Sequence, residues 1–66
     1  MLDLHVNGEV VTLPEPLTVA ELLDRLGYDR RRIAVEVNRV VVPRPQHDSR
    51  RLTRGDAIEI VTLVGG

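Results

Sequence analysis

Leu2-Asp3-Leu4-His5-Val6-Asn7-Gly8-Glu9-Val10-Val11-Thr12-Leu13 is the stretch that decides the fold. Apolar and polar residues alternate from Leu2 to Val6, the period-two signature of a half-buried strand. Asn7-Gly8 accepts the positive φ angles of a two-residue hairpin turn, and the chain returns through Glu9 to Leu13. Pairing outward from that turn sets Val6 opposite Glu9, His5 opposite Val10, Leu4 opposite Val11 and Leu2 opposite Leu13. Leu2, Leu4, Val11 and Leu13 then share a face that must be covered. Asp3, His5, Val10 and Thr12 share the other, which can stay wet.

The cover follows directly. Pro14-Glu15-Pro16 ends the second strand, because proline lacks a donor and restricts its predecessor. Thr18-Val19-Ala20-Glu21 reads as a capping box with Thr18 as N-cap, and Leu17 and Leu22 are spaced to staple it. Val19, Leu22, Leu23 and Leu26 form one apolar helix stripe, and Gly27 supplies a left-handed C-cap. The spacing predicts a helix over 19–26, too short to persist without the sheet.

Beyond Tyr28 to Arg32, Ile33 to Val37 reads as a third strand, Asn38 as a tight turn and Val40 to Val42 as a short fourth strand closed by Pro43. Pro45 to Arg51 is polar and irregular. Leu52-Thr53-Arg54-Gly55-Asp56 turns the chain into a last strand, Ala57 to Val64. The order is β-β-α-β-β-β. An α+β roll of the β-grasp kind is expected, a mixed sheet of four to five strands on one helix, with first and last strands parallel at its centre. With Ile58 and Ile60 facing the helix, Val61 and Leu63 point outward and, with Val10, leave a partly apolar patch suited to docking.

Composition narrows the function. At 66 residues the chain is read as one domain, 1–66, with a flexible tail over 64–66. It has no cysteine, so no disulfide and no thiol nucleophile or ligand. All nine basic residues are arginine, so the chain cannot be a self-conjugating modifier that uses its own lysine. Arg30-Arg31-Arg32 and Arg50-Arg51-Arg54 are read as solvated turn residues, with an acidic patch on a partner as the functional alternative. Net charge is −1 and Tyr28 is the sole aromatic, which argues against a nucleic-acid surface. His5 and His47 are read as ordinary surface residues rather than metal ligands, and Asp56 as a turn residue satisfying backbone donors. No apolar run is long enough to span a bilayer, and a cytoplasmic domain is expected.

Chemistry is then left to Gly65-Gly66, which follow the apolar run Ile58 to Val64. Glycines without Cβ atoms can lie flat in a narrow channel and present the Gly66 carboxylate to another protein's active site.

Asn7, Thr18-Val19-Ala20-Glu21-Leu22-Leu23, Val37-Asn38, Val42-Pro43-Arg44, Gly55-Asp56-Ala57-Ile58-Glu59-Ile60 and Val64-Gly65-Gly66 occur together in order along essentially the whole chain. In this the sequence resembles the ThiS family, the small sulfur carriers of thiamine biosynthesis, and more distantly the carriers of molybdopterin synthesis and ubiquitin. It departs from them in the loop Pro45 to Arg51, where relatives often carry an apolar or aromatic residue.

The resemblance implies a protein co-substrate, not an enzyme: no catalytic residue, metal or bound cofactor of its own. An E1-like adenylyltransferase would use ATP to activate Gly66, threaded by Gly65. A cysteine desulfurase would supply sulfur, and thiazole synthase would receive it from the thiocarboxylate. Val10, Val61, Leu63 and Val64 would assist docking, and the free carrier would be a monomer. Carriers for molybdopterin, tRNA thiolation or cysteine synthesis remain alternatives, as does a non-catalytic β-grasp module binding a ligand or RNA.

Overall fold

In a computed structural model, which describes residues 1–63, the hairpin forms in the expected register. Strands β1 (Leu2–Val6) and β2 (Glu9–Leu13) pair antiparallel, with Leu2 opposite Leu13 and Val6 opposite Glu9. Asn7 and Gly8 take φ angles of 50° and 83°, as a primed hairpin turn requires. Leu2, Leu4 and Val6 are buried, and Val11 and Leu13 pack at the margin of the core. On the wet face Thr12 Oγ1 donates to Asp3 Oδ1 across the pair at 2.8 Å.

Helix α1 (Val19–Leu26) begins with the complete capping box. The Glu21 amide donates to Thr18 Oγ1 and the Thr18 amide donates to Glu21 Oε1. Those bonds hold the Glu21 carboxyl below its ordinary range. Gly27 closes the helix at φ 80°. Leu17, Val19, Leu22 and Leu23 are at most 1% exposed, so cap and stripe together form the lid of the core. Leu26 departs from the stripe: it is 37% exposed, while Ala20 is buried. The last helical turn reaches the margin of the sheet, beside a surface depression that Leu26 lines with Val6, Asn7, Val11 and Tyr28.

The sheet is completed by β3 (Ile33–Val37), β4 (Val40–Val41) and β5 (Ala57–Thr62), in the order β2-β1-β5-β3-β4. β1 and β5 are parallel neighbours at the centre, and the other pairs are antiparallel. This is the mixed sheet on one helix of the β-grasp roll. Two strands are shorter than expected. Val42 leaves β4 and is buried, its amide bonding the Val35 carbonyl. β5 ends at Thr62 among the described residues, with Leu63 beyond it.

The polar segment 45–51 is more organised than its composition suggests. A 3-10 turn, Arg44–Gln46, leads to His47, which is only 2% exposed and not the surface residue expected. A carbonyl only accepts, so the ring Nε2, 3.1 Å from the Val42 oxygen, carries the hydrogen and donates; Nδ1 is buried without a partner. The backbone carbonyls of His47 and Arg50 accept from Ala20 and Val19, each at 2.9 Å. The segment thus caps donors that the helix start leaves open. Hydrophobic periodicity carries no signal for such a residue, because the burial is set by contacts outside the segment.

Asp56 behaves as its sequence context implies. Its carboxylate accepts from the Thr53 amide (2.8 Å), the Thr53 hydroxyl (3.1 Å) and the Asn38 side-chain amide (3.0 Å). Burial pushes its pKa up, but these donors and the Arg50 charge outweigh burial, so the carboxyl titrates below its ordinary value. A depressed carboxylate stabilises the fold above its unfolded pKa of about 4. That contribution is lost as pH falls through the lower folded value. Asp56→Ala is expected to cost about 1–3 kcal/mol in urea unfolding at neutral pH, from donors left unsatisfied. It should also flatten the acid limb of the stability–pH profile. An unchanged acid limb would show that Asp56 is not linked to the transition.

Candidate functional site: the terminus of the central strand

β5 is held from both ends by asparagines in turns distant in sequence. At its start, the Ala57 amide donates to Asn38 Oδ1 at 2.9 Å, and the Asn38 amide donates to the Ala57 carbonyl at 2.7 Å. Toward its end, Ile60 N donates to Asn7 Oδ1 at 2.8 Å and Asn7 Nδ2 donates to the Ile60 carbonyl at 3.3 Å. β1 registers with β5 only as far as Val6 opposite Ile58. The Asn7 side chain therefore continues the ladder where the β1 backbone has turned away. Hairpin grammar identifies Asn7 as a turn former; its second role, as a clamp on a strand 53 positions later, has no local signature.

On its other side β5 runs against β3 to the end, with Ala34 opposite Val61 and Ile33 opposite Thr62. The Leu63 amide then donates to the Arg32 carbonyl at 2.7 Å. These bonds fix where the chain leaves the sheet. Val64, Gly65 and Gly66, the threading and sulfur-carrying positions read from the sequence, lie outside the described residues.

Val61 and Leu63 are 52% and 51% exposed, and Val10 is 65% exposed. The three do not form one contiguous group. Val10 pairs with His5, and His5 with Ala57, which places Val10 at the start of β5. Val61 lies four residues further along, about 13 Å at the rise of a strand. Val61 and Leu63 flank the exit, with Ala34 opposite Val61; Val10 sits at the far end of the open face.

Around the exit lies a 3-10 turn, Arg30–Arg32, capped by Asp29, whose Oδ1 accepts from the Arg31 amide at 3.0 Å. That bond leads the interactions holding the Asp29 carboxyl below its ordinary range. Arg44 Nη2 donates to the Arg31 carbonyl at 3.1 Å, so a fourth guanidinium joins the three. Two surface depressions, of about 320 and 430 Å³, lie at the two sheet margins. Neither brings together a nucleophile and a base among the described residues. Among the described residues no three His, Asp or Glu side chains converge as a metal site would need, and no helix is long and apolar enough to cross a membrane.

The ThiS family model matches residues 4–66. The "uncharacterized protein ycf40" of Porphyra purpurea is 35% identical over 98% of this chain and 92% of its own length. The thiazole synthase of Paramagnetospirillum magneticum is 38% identical over 98% of this chain, which spans only 20% of that protein. The crystal structure of the thiamine biosynthesis protein ThiS from Geobacter metallireducens superposes with a TM-score of 0.87 at 35% identity, covering 98% of this chain and 99% of that one. A five-stranded roll whose central strand is clamped up to its last residues, matched over nearly the full length of both molecules, leaves no ambiguity of kinship: the chain belongs to the ThiS family, the sulfur carriers of thiamine biosynthesis.

Proposed function

We propose that this protein carries sulfur on the α-carboxylate of Gly66 and delivers it to the assembly of the thiamine thiazole. The observation that carries the reading is the family match through residue 66, on a fold whose central strand leads to that tail. A carboxylate is a poor acyl donor because oxide is a poor leaving group. An E1-like adenylyltransferase removes that obstacle with ATP. A Gly66 oxygen attacks the α-phosphorus, pyrophosphate leaves, and an acyl-adenylate remains. The terminal sulfur of a persulfide, made by a cysteine desulfurase, attacks the acyl carbon and AMP leaves. A thiol then reduces the acyl disulfide, ending as a disulfide itself, and Gly66 is left as a thiocarboxylate. Thiazole synthase takes the sulfur from it.

The carrier contributes position and a single reacting group. Gly65 suits a narrow channel, while Val61 and Leu63 at the exit, Val64 and the more distant Val10 supply apolar docking contacts. The compartment proposed is the cytoplasm, where the three enzymes would meet a free carrier monomer. Incubation with the cognate adenylyltransferase, ATP and a sulfur donor is expected to raise the intact mass by one oxygen-to-sulfur exchange. An unchanged mass with an activator competent on its own carrier would overturn the assignment. Thiamine delivery is favoured over molybdopterin or tRNA thiolation by the thiazole synthase relative, and direct binding to thiazole synthase tests that choice.

A further inference from the structure

The arginines around the exit have no part in the chemistry just described, yet their placement is specific. Arg31 and Arg32 have side chains 83% and 80% exposed, and the Arg32 carbonyl holds Leu63, where the chain leaves the sheet. Arg30 and Arg44 complete the group. Two aspartates answer these four arginines: Asp48 lies 3.2 Å from Arg30, and Asp29 lies 3.3 Å from Arg31 and 3.7 Å from Arg32. The rest of the sequence holds eight acids and five arginines. The four arginines with their two aspartates therefore carry a surplus of two positive charges, in a chain whose net charge is −1.

We propose that Arg30, Arg31, Arg32 and Arg44 form an electrostatic docking rim that meets an acidic protein surface at the mouth of the channel receiving the tail. The inference rests on the carrier reading. An anionic tail approaching an anionic nucleotide is repelled, so long-range attraction must come from elsewhere on the carrier. Three residues threaded at full extension would reach about 10 Å past Leu63, which would leave the rim outside the channel. The guanidiniums then face the protein around the channel entrance rather than the phosphates within it. Exposed charges so placed act mainly on the rate of encounter, and salt weakens them.

The test measures association of the cognate adenylyltransferase with the intact chain by stopped flow over a range of ionic strength. Arg31→Glu/Arg32→Glu is expected to slow association at low salt about tenfold or more and to flatten the salt dependence. Arg31→Lys/Arg32→Lys should retain the wild-type rate, because the interaction needs charge rather than guanidinium geometry. At about 0.15 M ionic strength Arg54→Glu, a charge reversal in the turn at the opposite end of β5, should leave the rate within about twofold, since the roughly 20 Å length of that strand exceeds the Debye length of about 8 Å. Wild-type association by the double glutamate variant, with an unchanged salt slope, overturns the rim while thiocarboxylate formation still supports the carrier. A raised KM for ATP at an unchanged association rate assigns the arginines to the nucleotide and also overturns it. A wild-type chain that neither binds nor gains sulfur overturns both readings.

Discussion

A chain ending at Gly65 is expected to fold like the full-length protein and to gain no sulfur. Among the described residues no core residue lies beyond Ile60, and the last bond that anchors β5 is made by Leu63. Removing Gly66 therefore leaves the packed structure untouched, and the urea midpoint should match that of the full chain. What changes is reach. Each residue contributes at most about 3.3–3.6 Å, so the carboxylate falls short by roughly that distance. Attack on the α-phosphate needs reacting atoms about 3–3.5 Å apart, and a misplacement of even about 1 Å can cost on the order of 100-fold. Mass spectrometry after incubation with adenylyltransferase, ATP and sulfur donor should show essentially no thiocarboxylate on the shortened chain. Conversion at the full-length rate would show that the enzyme does not measure tail length, and would remove Gly66 from its proposed role.

How much of this was legible in advance follows the range of the forces involved. The hairpin register, the capping box and the glycine C-cap were readable because each is settled by residues within a few positions of one another. The central parallel pairing followed from the order of the elements and their apolar content. Three features escaped. His47 is buried by Val42 and by the start of α1, 27 positions earlier, and nothing in Pro45 to Arg51 announces a core residue. Asn7 and Asn38 look like turn formers and are, but their side chains also clamp β5 across 53 and 19 positions. The docking patch placed Val10 beside Val61 and Leu63 because alternation assigns a face and says nothing of position along it. At the proposed site, the tail could be named from sequence, whereas the arginine rim needed the Leu63–Arg32 bond to locate it.

Leu26 supplies a comparison that separates pattern from packing. Sequence spacing gives Leu23 and Leu26 equal standing on the helix stripe, but Leu23 is fully buried and Leu26 is 37% exposed. Leu23→Ala is expected to cost about 2–5 kcal/mol, from lost transfer energy and the cavity left behind. Alanine is the best helix former, so that cost reports packing rather than helix propensity. A domain of 66 residues has roughly 3–10 kcal/mol in total at typical stability per residue. The variant should therefore be marginal or largely unfolded at 37 °C, with far-UV dichroism and urea titration reporting the loss. Leu26→Ala, which removes less buried surface, should cost under about 1 kcal/mol. Function then distinguishes two kinds of failure. Leu23→Ala should accept sulfur in proportion to its folded fraction, and a stabilising osmolyte should restore it. The chain lacking Gly66 is folded already, so osmolyte should restore nothing. Equal costs at positions 23 and 26 would mean that the stripe, and not the sheet beneath it, sets the stability of the helix, and that β5 is supported differently from the way its contacts indicate.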